Sequence, residues 1–109
     1  MMIFDGHADL LYDVTKWRQA GEDRVFERRH LPRLQAGQIG GLGLSIWTTV
    51  EQDSIWAAHP DWDGWQRTEE MMARALEELA ECPWLALVRT AAEVRKAQAE
   101  GKLFAFLSV

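Results

Sequence analysis

The chain has 109 residues, of which 48% are apolar and 27% are charged, and its formal net charge is −5. This balance excludes a disordered chain and suffices for one small globular domain, which we place over residues 1–109 with no separate second domain. The acidic balance, with no basic stripe, argues against a nucleic-acid partner. The single cysteine, Cys82, excludes an internal disulfide, and we interpret it as a small buried residue at a helix end.

Signals for export or membrane insertion are missing from the sequence. The amino terminus lacks the basic region of a signal peptide and meets the acidic Asp5 almost at once. No apolar run approaches the length of a transmembrane helix. We therefore expect a soluble, cytoplasmic protein without a membrane anchor.

The first elements along the chain are a strand and a helix. The opening apolar run predicts a short buried strand over residues 2–8. Over residues 10–20, apolar side chains recur every three or four positions, which predicts a helix that Gly21 ends. The charged residues 21–30 predict a loop.

The middle of the chain predicts a short helix and a second strand. Residues 30–37 predict the helix, with Pro32 in its first turn. The apolar residues 42–49 predict a strand that is buried on both faces, and the glycines before it permit tight turns at its start. Residues 51–63 predict a polar, tryptophan-rich loop.

A long amphipathic helix is predicted next. It starts at Asp63 or Thr68, and it ends near Glu81 because Pro83 stops it. Its apolar side chains recur at helical spacing, and we interpret them as the core face of the helix: Trp65, Met72, Ala75, Leu76 and Leu79.

The end of the chain predicts a helix between two extended segments. Residues 84–88 predict a short extended piece, and Thr90 with Glu93 forms a capping box that starts a helix through residue 100. Residues 103–109 predict a strand that is buried on both faces. The order of elements indicates an α/β fold with three parallel strands joined by crossover helices.

Two polar residues follow the first predicted strand. His7 and Asp9 stand two positions apart, so their side chains point to the same face of an extended backbone. Imidazole and carboxylate groups bind zinc and similar divalent ions, and we interpret the pair as metal ligands. The alternative is structural, with His7 capping a turn and Asp9 capping the helix that starts at Leu10.

The other two histidines are not assigned to a site. His30 stands where the short helix starts, which favours a structural role at the helix terminus. His59 precedes Pro60 in an acidic segment, which favours an exposed loop.

Four stretches, taken in order, carry a resemblance to a known family. They are residues 5–10 (DGHADL), 30–42 (HLPRLQAGQIGGL), 44–48 (LSIWT) and 94–102 (VRKAQAEGK). Together they resemble the membrane (renal) dipeptidases, which are zinc metallopeptidases of the amidohydrolase-like barrel superfamily. The resemblance implies that the chain is the N-terminal part of a (β/α)8 TIM barrel, and an incomplete one, because such a barrel typically needs about 250 residues.

The resemblance also implies an activity. It implies zinc-dependent hydrolysis of dipeptides, including those with a C-terminal D-residue, by a metal-activated water. His7 and Asp9 would hold one of two zinc ions, and a glutamate one position past Val109 would bridge the two. The sequence assigns no residue to general acid or base catalysis. Tyr12 is a candidate for the substrate pocket, although its position favours packing.

An incomplete barrel has consequences for activity and partners. Three parallel strands cannot close, so we expect an open sheet edge and an uncovered apolar face. The chain would then be a fragment of a longer coding sequence or one piece of a split barrel. It would pair with the remainder or with another copy, and it would be nearly inactive alone, because zinc sites ordinarily have three or four ligands.

Two other functions remain open at this stage. One is a different hydrolase of the same superfamily, such as a deaminase or a cyclic amidase, although those usually carry His-x-His at the first strand. The other is a non-catalytic remnant or partner module that associates through its open sheet edge.

Overall fold

The structure, a computed structural model, describes residues 2–48 and 55–109. Within these residues, four strands and four α-helices make up most of the regular structure. The strands are β1 Ile3–Ala8, β2 Ile39–Ser45, β3 Leu85–Leu87 and β4 Leu103–Ser108. The helices are α1 Leu10–Gln19, α2 Leu31–Ala36, α3 Gly64–Glu81 and α4 Ala91–Ala99. A π-helical turn, Phe26–His30, precedes α2, and a 3-10 turn, Ile55–Ala58, precedes α3.

The strands form one parallel sheet in the order β1-β2-β4-β3. The predicted α/β class with parallel strands is therefore confirmed, but in the described part of the chain the sheet has four strands instead of three. The additional strand is β3, within the predicted extended piece, where Leu85 pairs with Leu103 of β4. Three residues carry too little pattern to predict a strand, and only pairing with β4 identifies it.

The prediction that the first strand is buried is wrong. Met2, Ile3 and Phe4 are each 44–47% exposed. Within the described residues, β1 pairs with β2 alone, so its other edge is open. An apolar run predicts the strand correctly, but it does not say which neighbours cover that strand.

The second strand is displaced from its predicted position. β2 begins at Ile39 and ends at Ser45, so the glycines expected in a turn lie inside the strand. A Cβ atom on Gly41 would lie 2.2 Å from the Phe104 ring, and one on Gly43 would lie 2.4 Å from the Gly6 carbonyl oxygen. These glycines therefore allow close packing across the sheet. The predicted strand end at residue 49 lies outside the described residues, as do residues 51–54 of the predicted loop.

The main core lies between the sheet and the helices α1 and α3. Leu42 and Leu44 of β2 pack with Leu11 and Val14 of α1 and with Met71 of α3. At the end of α3, Cys82 is buried as predicted, and burial raises the pKa of its thiol. Among the described residues, no helix is both long and apolar enough to cross a bilayer.

The buried face of α3 agrees with the prediction in part. Ala75 is in the core, and Met72 and Leu79 pack against it as predicted. Trp65 and Leu76, however, are 70% and 48% exposed, and the helix buries Met71 and Glu78 instead. The helix is turned so that Glu78 points inward. Its carboxylate accepts hydrogen bonds from the backbone amides of Val25 (3.0 Å) and Phe26 (2.8 Å).

The same carboxylate explains why residues 21–30 are only partly a loop. The first amides of a helical turn have no partner within that turn and need an acceptor from elsewhere. Glu78 supplies that acceptor from a position more than fifty residues away, and Phe26–His30 follows as a π-helical turn. A local sequence pattern cannot reveal such a distant acceptor.

The last strand is buried over its first half only. Leu103 and Ala105 join the main core, whereas Phe104 packs with Val88 and with Ala97 of α4 in a second, smaller cluster. Successive residues of a strand point to opposite faces, so α4 covers the face opposite the main core. Beyond Ala105 the strand is more exposed, and Phe106 is 37% exposed, contrary to the predicted burial on both faces.

Candidate metal centre

The candidate site lies at the carboxyl-terminal edge of the parallel sheet. His7 is near the end of β1, and Asp9 follows that strand directly. Ser45 is the last residue of β2, and it pairs in register with Ser108, the last residue of β4. Functional groups of α/β proteins are commonly found at this edge of the sheet.

His7 and Asp9 approach each other closely. The distance between His7 Nε2 and Asp9 Oδ1 is 3.1 Å, and the two side chains are 72% and 57% exposed. The other ring nitrogen, His7 Nδ1, lies 3.1 Å from the Ser45 hydroxyl. The backbone amide of His7 donates to Asp5 Oδ1 at 3.1 Å. The His7 ring is therefore held between β2 on one side and Asp9 on the other.

The alternative role of Asp9 as a helix cap is not supported. Asp9 occupies the N-cap position of α1, but its side chain accepts no hydrogen bond from the first turn of that helix. A capping aspartate would accept from the amide two or three residues further on. The carboxylate of Asp9 is instead directed at His7 and at solvent.

An irregularity in the sheet accompanies the site. The register between β1 and β2 shifts between Asp5 and Ala8, the segment that contains His7. Such irregularities change the direction of a side chain and are frequent beside functional sites. Here the irregularity accompanies the approach of His7 to Ser45 across the two strands.

The donor atoms fit half of a zinc site. Ligand atoms in a tetrahedral zinc site, each about 2.0–2.1 Å from the ion, lie roughly 3.3 Å apart. The 3.1 Å between His7 Nε2 and Asp9 Oδ1 is close to that value. In the parts of the chain that the structure describes, no group of three or more histidine, cysteine or acidic residues could hold a metal ion. A complete site thus needs ligands in addition to this pair.

The remaining candidate residues serve other purposes. His30 is buried at the start of α2, and its Nε2 lies 2.7 Å from Asp13 Oδ2. The ring of His59 stacks on the ring of Trp62. The ring centroids are 3.9 Å apart, and the angle between the two planes is 8°. The Tyr12 hydroxyl accepts a hydrogen bond from the backbone amide of Ile55 at 3.0 Å, which agrees with the favoured packing role.

Ser45 is the site residue that sequence reasoning missed. It interrupts an otherwise apolar run between Leu44 and Ile46, at the point where β2 ends. A polar residue at a strand end was the available signal, but a single serine is too common to identify a site. Its contact with His7 depends on strand pairing, which the sequence alone does not specify.

The helix that follows the site is fixed by a cluster of charges. Arg18 of α1 donates to three glutamates of α3, at 2.7 Å to Glu77, 2.8 Å to Glu78 and 2.9 Å to Glu81. The hydrogen bonds from Arg18 outweigh the effect of burial and lower the pKa of Glu81. Burial would raise the pKa of Glu77, but hydrogen bonds from Arg74 and Arg18 lower it. These contacts hold α1 against α3.

Comparisons with known proteins concern the family and the fold of the whole chain. The model of the family described as membrane dipeptidase, peptidase family M19, matches residues 1–109. Among curated proteins, no sequence matches this chain significantly. Two solved structures share its fold at 22% sequence identity. One is dipeptidase AC, described as a metallopeptidase of family M19, with a TM-score of 0.68 over 98% of this chain and 34% of the other.

The second structure is a metallopeptidase from Rhodobacter sphaeroides, liganded with a phosphinate mimic of the dipeptide L-Ala-D-Ala. It matches with a TM-score of 0.67 over 98% of this chain and 37% of its own. The chain thus spans about a third of the length of these solved proteins.

Proposed function

The chain belongs to the membrane dipeptidase family, and on that premise we propose that it is the N-terminal part of a zinc-dependent dipeptidase. His7 and Asp9 are two of the metal ligands in this proposal. The observation that carries it is the 3.1 Å approach of His7 Nε2 to Asp9 Oδ1 at the carboxyl edge of the sheet. The two side chains are 72% and 57% exposed, which leaves room for further ligands.

Each of the two residues has a distinct task. His7 offers a ring nitrogen, while its other nitrogen is held by Ser45. Asp9 offers a carboxylate that the first turn of α1 does not use. Zinc bound there supplies a Lewis acid that lowers the pKa of a water molecule and polarises the scissile carbonyl. The role of His7 and Asp9 would be to hold the ion at the carboxyl-terminal edge of the sheet.

The further zinc ligands would come from strands of the barrel other than the four in this sheet. In our proposal the four-stranded sheet is part of a (β/α)8 barrel, and other strands of that barrel provide the further ligands of two zinc ions. The partial coverage of the solved dipeptidases, 34% and 37% of their lengths, supports this division. The 109-residue chain alone is then nearly inactive, because two ligands hold zinc weakly.

The proposed substrates are dipeptides, including those with a C-terminal D-residue. The solved relative from Rhodobacter sphaeroides that binds a mimic of L-Ala-D-Ala supports this class. A panel of L,L- and L,D-dipeptides, with cyclic amides and aminated bases as alternatives, tests the substrate class. Hydrolysis of the cyclic amides or bases, without hydrolysis of dipeptides, would contradict the proposal.

The metal ligands are tested by the double variant His7→Ala, Asp9→Ala in the intact protein. Since both residues contact the proposed ion, we expect zinc-dependent dipeptide hydrolysis to fall by at least about a thousandfold, with a loss of bound zinc. Zinc content is measured by mass spectrometry and turnover by release of the free amino acids.

The chain contains a matched control for this experiment. His59 and Asp61 have the same His-x-Asp spacing, but they lie outside the sheet edge, and His59 stacks on Trp62. The double variant His59→Ala, Asp61→Ala should retain both zinc and turnover. Equal turnover in the two double variants would exclude His7 and Asp9 as metal ligands.

A further inference from the structure

We propose that Ser45 is a positioning residue for His7, whose hydroxyl holds the imidazole ring both before and after a cation binds. The proposal rests on the proposed function, because it concerns the availability of His7 Nε2 for the metal. It assigns a defined role to a residue that the family resemblance did not single out.

The geometry gives Ser45 a fixed position and gives His7 a dependent one. Ser45 is 7% exposed and ends β2, the strand between β1 and β4. Next to it, Leu44 pairs with Ala8 of β1, and Ser45 itself pairs with Ser108 of β4. The His7 side chain, by contrast, is 72% exposed. Its Nδ1 contact with Ser45 Oγ at 3.1 Å is therefore the link from an exposed ring to the rigid sheet.

The two ring nitrogens of His7 have different partners, and their roles are coupled. A neutral imidazole has one nitrogen that donates and one that accepts. A carboxylate can only accept, so in a neutral ring the 3.1 Å contact with Asp9 Oδ1 places the proton on Nε2, and Nδ1 then accepts from the Ser45 hydroxyl. In this tautomer of His7 the proton is on Nε2, so Nε2 has no lone pair with which to bind a metal ion.

Binding a cation requires the other tautomer. An ion held by His7 would need the lone pair of Nε2, so the proton on Nε2 would leave to solvent and Nδ1 would take up a proton from solvent. Nδ1–H now donates, and the Ser45 hydroxyl accepts. A hydroxyl group can donate or accept by rotating its hydrogen, so Ser45 keeps its hydrogen bond to His7 in both states. A metal-binding histidine ordinarily needs such an acceptor for its second nitrogen.

A spectroscopic experiment tests the positioning role without any activity. The side-chain nitrogens of 15N-labelled histidine report the tautomer, and the signals lost in His7→Ala identify those of His7. In zinc-free protein near pH 9, where histidine side chains are ordinarily neutral, we expect Ser45→Ala to shift the His7 nitrogen signals. Ser45→Thr, which keeps the hydroxyl, should restore them, and Ser108→Ala should leave them unchanged.

Zinc affinity of the intact protein, measured by competition with a chelator, is the second readout. Loss of a residue that orients a metal ligand typically lowers affinity about 10–100-fold, and we expect Ser45→Ala to fall in this range. Ser45→Thr should recover most of that affinity, and Ser108→Ala should match the wild type.

The outcomes separate this inference from the proposed function. If the wild type binds no zinc, the proposed function is overturned, and so is the claim that Ser45 supports metal binding. If the wild type binds zinc and Ser45→Ala binds it equally well with unchanged His7 signals, only the role of Ser45 is overturned.

Discussion

At the scale of residues, two histidine–aspartate contacts among the described residues differ in the burial of the histidine. The His30 side chain is 8% exposed, and its partner Asp13 also accepts a hydrogen bond from Trp17 Nε1 at 2.9 Å. One member of this pair is therefore buried, and the other, Asp13, is 38% exposed. In the second pair both side chains are exposed, His7 by 72% and Asp9 by 57%. Access for further ligands thus distinguishes the candidate site from the pair of His30 and Asp13.

Also at the residue scale, Gly43 determines how closely β1 approaches β2. A Cβ atom there would lie 2.4 Å from the carbonyl oxygen of Gly6, and backbone atoms cannot move aside as a flexible side chain can. We expect Gly43→Ala to lower the free energy of unfolding by about 1–3 kcal/mol, as overpacking typically does. Urea denaturation followed by circular dichroism measures the change.

Gly64 provides the control for that substitution. A Cβ atom at Gly64 would meet only the end of the Arg67 side chain, at 3.7 Å. Gly64→Ala, at the start of α3, should therefore be neutral or stabilising by less than about 1 kcal/mol. If both variants have the same stability, the close approach of the two strands is not a constraint on Gly43.

At the scale of elements, local signals predicted helices and strands well where local chemistry determines them. The capping box of Thr90 and Glu93 does start α4, and Gly101 follows that helix with a φ of +69°. The errors occur where distant residues decide. The carboxylate of Glu78 creates the π-helical turn, and pairing with β4 creates β3. Neither interaction can be read from a local window of sequence.

The start of α3 yields a prediction at the same scale. The sequence left both Asp63 and Thr68 as possible N-caps, and in the structure Asp63 is the cap. Its Oδ1 accepts a hydrogen bond from the backbone amide of Gln66 at 2.8 Å. In return, Gln66 Oε1 accepts one from the backbone amide of Asp63 at 2.9 Å. We expect Asp63→Ala to lower the free energy of unfolding by about 0.5–2 kcal/mol, and Asp63→Ser to recover most of it. Thermal or urea denaturation measures both.

Two neighbouring substitutions serve as controls for the cap. Asp61→Ala removes a carboxylate just outside the helix, and Thr68→Ala removes a hydroxyl that donates to the Gly64 carbonyl within the helix. Both should change stability by less than about 0.5 kcal/mol. A loss in Asp61→Ala as large as that in Asp63→Ala would point to general charge effects near the helix start instead of capping.

At the scale of the whole molecule, the sequence predicted the contact between His7 and Asp9 better than its surroundings. The two side chains meet as their spacing predicted, although Asp9 follows the strand with φ −90° and ψ 25°, so an extended segment is only part of the reason. The contribution of Ser45 depends on the pairing of β2 with β1, and the inward direction of Glu78 depends on the packing of α3. The spacing of residues along the sequence does not predict such contacts between different strands and helices.

The ion cluster that joins α1 to α3 makes stability depend on pH. The pKa of Glu81 is lowered by hydrogen bonds from Arg18, so its charged form is favoured in the folded state. A carboxylate with a lowered folded pKa contributes stability above its unfolded pKa of about 4.3, and this contribution is lost as the pH falls through the folded value. Because the Glu81 side chain is 34% exposed, we expect a contribution of only about 0.5–1 kcal/mol at pH 7.

Comparison of the wild type with Glu81→Gln measures that contribution. At pH 7 the variant should be less stable by that amount, and the difference should shrink as the pH is lowered toward 3, in the direction that protonates Glu81 of the wild type and so removes the charge that Arg18 stabilises. Glu69→Gln, at an exposed position of the same helix, provides a control that should show little difference at either pH. Since Arg18 also donates to Glu77, whose pKa is lowered by hydrogen bonds from Arg74 and Arg18, the wild type itself should lose stability as the pH falls through the lowered pKa values of these two glutamates. A difference between wild type and Glu81→Gln that is the same at pH 7 and pH 3 would show that the charge of Glu81 does not hold α1 against α3.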